Sequence, residues 1–304
     1  MHSTACNLCF VNCGIKVQLG GDDGRQFVKV MGDKEHPASE GYICNKATRI
    51  NYYQNDNNRI TSPMRRREDG SYEEVDWDTA ISEIAARLSE VKNKYGGERI
   101  TFYGGGSQGA HLSGAYSRSL MGALGIKYRS GALAQEKTGL SWVFGRIIGG
   151  PSFWDIERSD VIMFAGKNPF MSNGIDRGRT FLREVKKDPD RKLIVMDPRR
   201  SETTDFADIH LQVKPGRDAW CLSAIMAYIV QNLSLPTEWL EAHTHDYEQV
   251  IEAFEKIPVA EFAEFSGIPM QLIEDTANLI VNAKAFTLEE DIGIQMAPHS
   301  TLIS

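Results

Sequence analysis

The chain has 304 residues, of which 41% are hydrophobic and 25% charged, and its formal net charge is −7. These proportions are ordinary for a globular protein, and the length allows about two domains with cores of their own. The acidic balance and the lack of a basic stripe argue against nucleic acid as a partner.

The amino terminus carries no recognisable targeting segment. Its first six residues, MHSTAC, lack the apolar core of a signal peptide and the paired arginines of a twin-arginine signal. No later stretch reaches the roughly 18–20 apolar residues that a membrane-spanning helix needs. The sequence therefore predicts a cytoplasmic protein without a membrane span. In that reducing compartment, clustered cysteines are more often metal ligands than disulfides.

Four of the five cysteines are spaced as Cys6-x2-Cys9-x3-Cys13-x30-Cys44. A close trio with one distant cysteine suits a 4Fe–4S cluster. Zinc sites made of four cysteines usually consist of two close pairs, which makes zinc the less favoured alternative. The fifth cysteine, Cys221, lies in an apolar predicted helix and is expected to fill the core.

The first half of the chain reads as short strands followed by a helix. In chain order we predict a hairpin of strands 14–19 and 27–30, a short helix over 45–49, a helix from Asp76 or Asp78 to Gly96, and a strand over 99–103. The turn Gly104-x-Gly106-x-x-Gly109 then looks like a dinucleotide fingerprint. No acidic residue follows it at the expected distance of about 20 residues, so a nicotinamide site is disfavoured.

The second half alternates apolar strands with helices. The predicted strands cover 160–165, 192–196 and 209–213, and the helices cover 175–187 and 219–230. This rhythm is typical of a doubly wound parallel sheet, whose ligands bind at the carboxyl ends of the strands. The loops GKNP, DPRR and KPGRD occupy those positions. A further strand begins at 285–288, and the sequence stops at Ser304 with no predicted helix after it, which looks like an ending in mid-domain.

Six motifs in order resemble the N-terminal portion of the molybdopterin-dependent oxidoreductases of the DMSO reductase superfamily, the formate dehydrogenase and nitrate reductase type. They are CNLCFVNC, VMGDKEHPASEGYICNK, DWDTAISEIA, AGKNP, VMDPRRSETTDFAD and VKPGRDAW. The motifs run from Cys6 to Trp220 and so cover most of the chain. Each motif is weak alone, whereas the ordered set is specific.

The resemblance implies an α/β fold with a small, β-rich iron–sulfur domain at the amino terminus, followed by doubly wound α/β domains. Four segments are expected: 1–62 as the 4Fe–4S domain, 63–157 as the first half of an α/β domain, 158–283 as a Rossmann-like domain that binds molybdopterin guanine dinucleotide, and 284–304 as a truncated return to the second domain. Family catalytic subunits are considerably longer, so the chain is expected to be a fragment or a truncated product.

The resemblance also implies site residues. Cys6, Cys9, Cys13 and Cys44 would ligate the 4Fe–4S cluster, and Lys46 would relay electrons to the pterin. The contacts to the guanine dinucleotide would be Gly166, Asn168, Asp197, Arg199, Thr203, Gly216 and Asp218. Loop amides and arginine suit a pyrophosphate, and carboxylates accept hydrogen bonds from ribose or guanine. Ordinary turn chemistry at Asn-Pro and Pro-Gly is the alternative reading of these loops.

The implied function is that of an enzyme part. A 4Fe–4S cluster would pass electrons to or from a molybdenum or tungsten centre held by two molybdopterin guanine dinucleotides, in a two-electron reaction of a small-molecule substrate. The expected partner is an electron-transfer protein or subunit. In much of the family, a side chain in the stretch that corresponds to 128–139 ligates the metal. This stretch has no cysteine here. Ser130 or Glu136 could be the ligand instead, or the metal could have no protein ligand. The alternatives are a truncated, non-catalytic iron–sulfur electron-transfer module and a zinc-stabilised nucleotide-binding domain.

Overall fold

The computed structural model describes residues 1–104, 112–132, 136–150 and 154–303, without the side chains of 112–115 and 303. The chain divides into two compact units, Met1–Ala132 and Leu133–Ser304. Each unit has its own buried hydrophobic side chains and its own hydrogen-bonded strands.

The first unit begins with a three-stranded antiparallel sheet in the order β1–β2–β3. Its elements, in chain order, are β1 (His2–Ala5), β2 (Gly14–Gly20), β3 (Gln26–Gly32), a 3-10 helix (Ala47–Arg49) and α1 (Ile50–Asn55). The predicted hairpin is confirmed as β2 and β3. Strand β1 was not predicted, and it pairs with β2. A small core lies beside this sheet, and its buried members are Cys6, Ile15, Val17, Cys44 and Ala47.

The rest of the first unit contains the predicted long helix and two small sheets. Its elements are β4 (Met64–Arg66), β5 (Tyr72–Glu74), α2 (Trp77–Tyr95), a 3-10 helix (Gly97–Arg99), β6 (Thr101–Tyr103), α3 (Leu112–Leu124) and β7 (Tyr128–Ser130). Asp76, rather than Asp78, caps α2, because its carboxylate accepts a 2.7 Å hydrogen bond from the Thr79 backbone amide. Gly96 ends the helix with φ +82°. The glycine-rich turn after β6 lies, from residue 105 onward, outside the described residues.

The second unit contains a four-stranded parallel sheet in the order β10–β9–β8–β11. Its strands are β8 (Val161–Ala165), β9 (Lys192–Met196), β10 (Ile209–Leu211) and β11 (Phe286–Glu290). Its helices are α4 (Thr138–Val143), a π turn (Phe144–Ile148), α5 (Pro169–Ser172), α6 (Gly178–Lys187), a 3-10 helix (Thr204–Phe206), α7 (Asp218–Asn232), α8 (Thr237–His243), α9 (Tyr247–Glu255), α10 (Val259–Ser266), α11 (Met270–Asn282), α12 (Ile292–Gln295) and α13 (Ser300–Ile303).

Two apolar clusters cover the two faces of this sheet. One cluster joins the sheet to α7, α10 and α11, and its centre is formed by residues such as Met163, Ile225 and Ile273. The other joins it to α6 through Phe164 and Phe181. Helices on both faces of a parallel sheet confirm the predicted doubly wound α/β fold.

The structure differs from the sequence-based expectation for residues 284–304. The strand predicted there forms β11, which pairs in parallel with β8 and therefore belongs to the same sheet as β9 and β10. Two short helices, α12 and α13, follow it. The partner strand β8 lies more than a hundred residues earlier in the chain, so local periodicity cannot predict this pairing.

No single helix in the described ranges is long and apolar enough to cross a membrane. The helices α7 and α8 pass that test only as a pair, bent by 115°. Helix α7 places Cys221, Ala224 and Ile225 in the core of the second unit.

Candidate cofactor site

The first group of predicted site residues is the cysteine loop of the first unit. Cys6, Cys13 and Cys44 are buried, Cys9 is half-buried, and none of them forms a disulfide. The Cys6 backbone amide donates a 2.8 Å hydrogen bond to the Cys13 carbonyl, which closes the loop. Cys44 packs in the same small core as Cys6. The fold therefore brings the distant fourth cysteine to the trio.

The groups around Cys6 shift the pKa of its thiol. Burial raises the pKa of the Cys6 thiol, and negative charge on Cys9 and Cys44 raises it further. Lys46 lies close enough for its positive charge to act in the opposite direction on the same thiol. Among the described residues, no group of three or more His, Cys, Asp and Glu side chains is arranged to hold one metal ion. A 4Fe–4S cluster takes a thiolate at each of its irons, and four cysteine side chains outside any disulfide are a donor set of that kind.

The second group lies where the parallel strands of the second unit end. Gly166 follows β8 with φ +64°, and a Cβ atom built on it would stand 2.5 Å from the Ile294 backbone nitrogen. The Gly293 amide, in the loop after β11, donates a 3.2 Å hydrogen bond to the Gly166 carbonyl. Only glycine tolerates both the backbone angle and this close approach. The loops after β8 and β11 therefore meet backbone to backbone.

This meeting point is the topological switch of the sheet. From β8 the chain continues outward to β9 and β10 on one side, while β11 lies on the other side. Doubly wound sheets bind ligands in the crevice outside the carboxyl ends of the strands at such a point. The structure has a cavity of about 370 Å³ there, lined by Gly166, Asp197, Pro198, Pro215, Gly216, Asp218, Gly293, Met296, Ala297 and Pro298.

Two carboxylates give the cavity its chemistry. Burial raises the pKa of Asp218, and the negative charge of Asp197 raises it further, because the two groups face one space. A pair of carboxylates lining a cavity is complementary to a ligand that offers N–H or O–H donors. Gly216, with φ +74°, turns the backbone of the loop between β10 and α7 at the rim.

The remaining three predicted contacts form a hydrogen-bonded network. The Thr203 hydroxyl donates to Asn168 Oδ1 at 2.6 Å, and Asn168 Nδ2 donates to Glu202 Oε2 at 2.8 Å. The exposed Arg199 guanidinium also donates to Glu202 Oε2, at 3.2 Å. The Arg199 backbone amide donates to Asp197 Oδ1 at 2.8 Å, which ties the network to the cavity. Glu202 was not predicted, although its place three residues after Arg199 could have suggested the ion pair.

Sequence reasoning also missed the cavity wall supplied after β11. Gly293, Met296, Ala297 and Pro298 line the cavity, but the prediction placed residues 284–304 in another domain. Gly293 and Pro298 were the available sequence signals for a loop, but they did not indicate to which sheet the loop belongs.

Replacing Asp218 with asparagine is expected to stabilise the protein at pH 8. The folded state raises the pKa of Asp218, so folding favours the protonated acid and the ionised carboxylate destabilises the fold above that pKa. Asparagine removes the charge, and its advantage should shrink as the pH falls towards the ordinary aspartate pKa of about 3.9. Chemical denaturation at pH 8 and pH 5 measures the difference. A variant that loses as much stability at pH 8 as at pH 5 would contradict this electrostatic reading.

Comparison with known proteins identifies the family. The Molybdopterin oxidoreductase family profile matches residues 59–273, and the Molybdopterin oxidoreductase Fe4S4 domain profile matches residues 1–56. The chain belongs to the molybdopterin oxidoreductase family. The resemblance inferred from the sequence is thereby confirmed, and the amino-terminal segment that holds Cys6, Cys9, Cys13 and Cys44 is the family's Fe4S4 domain.

Several relatives of this molybdopterin oxidoreductase chain are longer proteins. A nitrate reductase of Synechocystis is 27% identical over 98% of the chain and 43% of its own length. A nitrate reductase of Symbiobacterium thermophilum is 30% identical over 80% of the chain and 32% of its own length. The F420-dependent formate dehydrogenase subunit alpha of Methanocaldococcus jannaschii is 27% identical over 98% of the chain and 43% of its own length. The chain thus spans about two fifths or less of these relatives.

A solved structure agrees with the fold. Acetylene hydratase from Pelobacter acetylenicus superposes with a TM-score of 0.84 at 23% identity, over 99% of this chain and 41% of its own. At that identity the likeness concerns the fold alone.

Proposed function

We propose that this chain is the N-terminal part of a molybdenum or tungsten oxidoreductase that uses two molybdopterin guanine dinucleotides and one 4Fe–4S cluster. When bound, these groups supply a two-electron oxidation or reduction of a small substrate, with the cluster passing the electrons. The relatives named nitrate reductase and formate dehydrogenase support a redox reaction of this kind.

In this proposal the first unit holds the cluster. Cys6, Cys9, Cys13 and Cys44 are its ligands, and the neighbourhood of Cys6 and Cys44 in one small core supports the assignment. Lys46, two residues after the last ligand, keeps a positive charge beside the thiols. A cation there stabilises added negative charge on the cluster and donates hydrogen bonds towards a pterin.

The second unit binds the guanine dinucleotide. The observation that carries this proposal is that four residues after three separate strands line one cavity at the switch point of the sheet. They are Gly166 after β8, Asp197 after β9, and Gly216 and Asp218 after β10. Guanine offers N1–H and N2–H donors to the two carboxylates, and ribose offers hydroxyls. Loop amides and Arg199 would meet the pyrophosphate, while Asn168 and Thr203 hold the loops in place.

The proposal includes a redox partner and a location. The Methanocaldococcus jannaschii relative is named as a subunit, which supports an electron-transfer partner protein or subunit for this chain. We place the protein in the cytoplasm, where its thiols stay reduced.

Guanine selectivity tests the cavity directly. Guanosine diphosphate should bind the full chain with a Kd at least about tenfold below that of adenosine diphosphate, because adenine cannot donate from N1 to a carboxylate. Asp197→Asn should remove most of this preference. The matched control is Asp205→Asn, on an exposed site of the neighbouring 3-10 helix, which should keep it. Isothermal titration calorimetry of all three proteins makes the measurement. Equal binding of the two nucleotides to the unmodified chain, or no binding of either, would overturn the assignment.

A further inference from the structure

A buried ion cluster lies directly beside the cavity, and no predicted cofactor contact belongs to it. Lys167 follows Gly166, and its side chain is only 3% exposed. Its Nζ atom stands 2.7 Å from Glu289 Oε1 and 3.1 Å from Asp291 Oδ2. The same ammonium group lies 5.6 Å from the centre of the Trp154 ring. Charges buried this deeply persist only when they are paired.

This cluster spans the two loops that form one wall of the cavity. Lys167 belongs to the loop after β8, whereas Glu289 lies in β11 and Asp291 follows that strand. The Asp291 amide donates a 3.2 Å hydrogen bond to the Ala165 carbonyl. Two residues further on, the Gly293 amide bonds the Gly166 carbonyl. The ion pairs therefore bridge the same loops whose backbones meet at Gly166 and Gly293.

We propose that Lys167 is a positioning residue that, through its ion pairs with Glu289 and Asp291, fixes the Gly166–Gly293 wall of the cavity. The contact between this wall and a nucleotide rests on the proposed function. The role of Lys167 in fixing the wall is independent of it. Without the ammonium group, the buried carboxylate of Glu289 would remain beside the half-buried carboxylate of Asp291, which would keep its ion pair with Lys137. The loop after β11 would relieve that repulsion by moving away from Gly166 towards water.

The charged groups around Glu289 predict how this effect depends on pH. Burial raises the pKa of Glu289 to about 7; Lys167 opposes the rise, Asp291 adds to it, and Lys137 opposes it from further away. Lys137 contacts Asp291 and Gln295 at 3.2 and 3.0 Å. Gln295 in turn contacts Glu290, the remaining acid of the strand. Strand β8, alongside, contributes only apolar side chains.

The direction of the pH effect follows from these neighbours. Loss of Lys167 raises the pKa of Glu289 further, so the buried position then favours the protonated acid more strongly. The penalty for keeping Glu289 buried therefore grows as the pH rises from 6 to 8. The wall should loosen more at pH 8 than at pH 6.

Hydrogen exchange of the full chain tests the proposal without any nucleotide. Lys167→Met should speed amide exchange in segments 163–168 and 289–295 at least tenfold at pH 8, and clearly less at pH 6, after correction for the intrinsic pH dependence of exchange. Lys167→Arg should keep exchange slow. Adding Glu289→Gln to Lys167→Met should remove the pH dependence.

The matched control is Lys192→Met at the opposite end of the same sheet, where Lys192 pairs with Asp208 at 3.7 Å. It should leave both segments unchanged. Equal exchange in the Lys167→Met and Lys192→Met proteins, or a defect of the same size at both pH values, would overturn the proposal. Because burial raises the pKa of Glu289 to about 7, exchange in segment 289–295 of the unmodified protein should also be faster at pH 8 than at pH 6, by a smaller factor. If Lys167→Met does not fold, Glu289→Gln alone must remove that dependence, and failure to do so is equally contradictory.

Titration with guanosine diphosphate separates this inference from the proposed function. Lys167→Met should weaken binding about tenfold at pH 8. If the nucleotide binds neither protein while the exchange difference persists, the guanine site is wrong and the positioning role of Lys167 stands.

Discussion

Replacement of Cys13 or Cys44 by serine is expected to remove nearly all iron from the anaerobically purified chain. Each residue would ligate one iron of a 4Fe–4S cluster, and a serine hydroxyl is a harder, poorer ligand for iron–sulfur sites than a thiolate. The iron content should fall from about four atoms per chain to a small fraction of that value, and the broad visible absorbance of the cluster should disappear with it.

The loss should also destabilise the first unit locally. Among the described residues, its cysteine-loop core has five buried members, Cys6, Ile15, Val17, Cys44 and Ala47. A core of this size contributes little stability by itself, so a bound cluster is expected to be part of the folding free energy of this segment. Limited proteolysis should cut both serine variants within residues 1–56 at least tenfold faster than the unmodified protein.

Cys221→Ala is the matched control. Cys221 is fully buried in α7, and burial raises the pKa of its thiol to about 12, which keeps it protonated and apolar in behaviour. Its loss should leave the iron content and the cleavage rate in residues 1–56 unchanged. Serine variants that retain full iron would contradict the assignment of Cys13 and Cys44 as ligands.

Gly166→Ala should lower the free energy of unfolding by about 2–4 kcal/mol, because it combines two penalties. Gly166 has φ +64°, and the new Cβ would stand 2.5 Å from the Ile294 nitrogen and 2.8 Å from the Gly293 carbonyl carbon. Both neighbours are backbone atoms and cannot move without displacing the loop after β11. The same variant should lose guanosine diphosphate binding, since the displaced loop lines the cavity.

Gly216→Ala provides the comparison within the same cavity. Gly216 has a similar backbone angle, φ +74°, but its added Cβ would meet only Pro298 at 3.6 Å, an ordinary contact. The expected loss is therefore about 1–2 kcal/mol, the cost of the left-handed conformation alone. Urea denaturation of the two variants measures the difference. Equal losses would mean that the approach of the two loops at Gly166 is not a tight one.

Much of the second unit could be predicted because its signals are local. The apolar run Lys192–Met196 has the same bounds in the sequence and in the structure, and the loops after β8 and β9 were placed correctly at strand ends. The cap of α2 was narrowed to two aspartates, and the structure selects Asp76 because its carboxylate reaches the Thr79 amide. Periodicity and capping act within a few residues, so the sequence displays them.

The missed features all depend on contacts between distant residues. The pairing of β11 with β8 decides that Gly293 faces Gly166 and that Glu289 meets Lys167. Two adjacent acids at the end of an apolar strand suggest a solvated boundary, yet both Glu289 and Glu290 are buried. The Lys167 ammonium group, supplied by another loop, offsets part of the cost of burying Glu289.

Elemental analysis of the anaerobically purified full chain is the first measurement to make. Iron, zinc, molybdenum and tungsten should be determined per chain in one sample. About four irons with molybdenum or tungsten, and no stoichiometric zinc, is the expected result for a cofactor-holding oxidoreductase part. Iron without molybdenum or tungsten would reduce the chain to an iron–sulfur module. Zinc in place of iron would contradict the assignment of Cys6, Cys9, Cys13 and Cys44 as cluster ligands, and with it the proposed function.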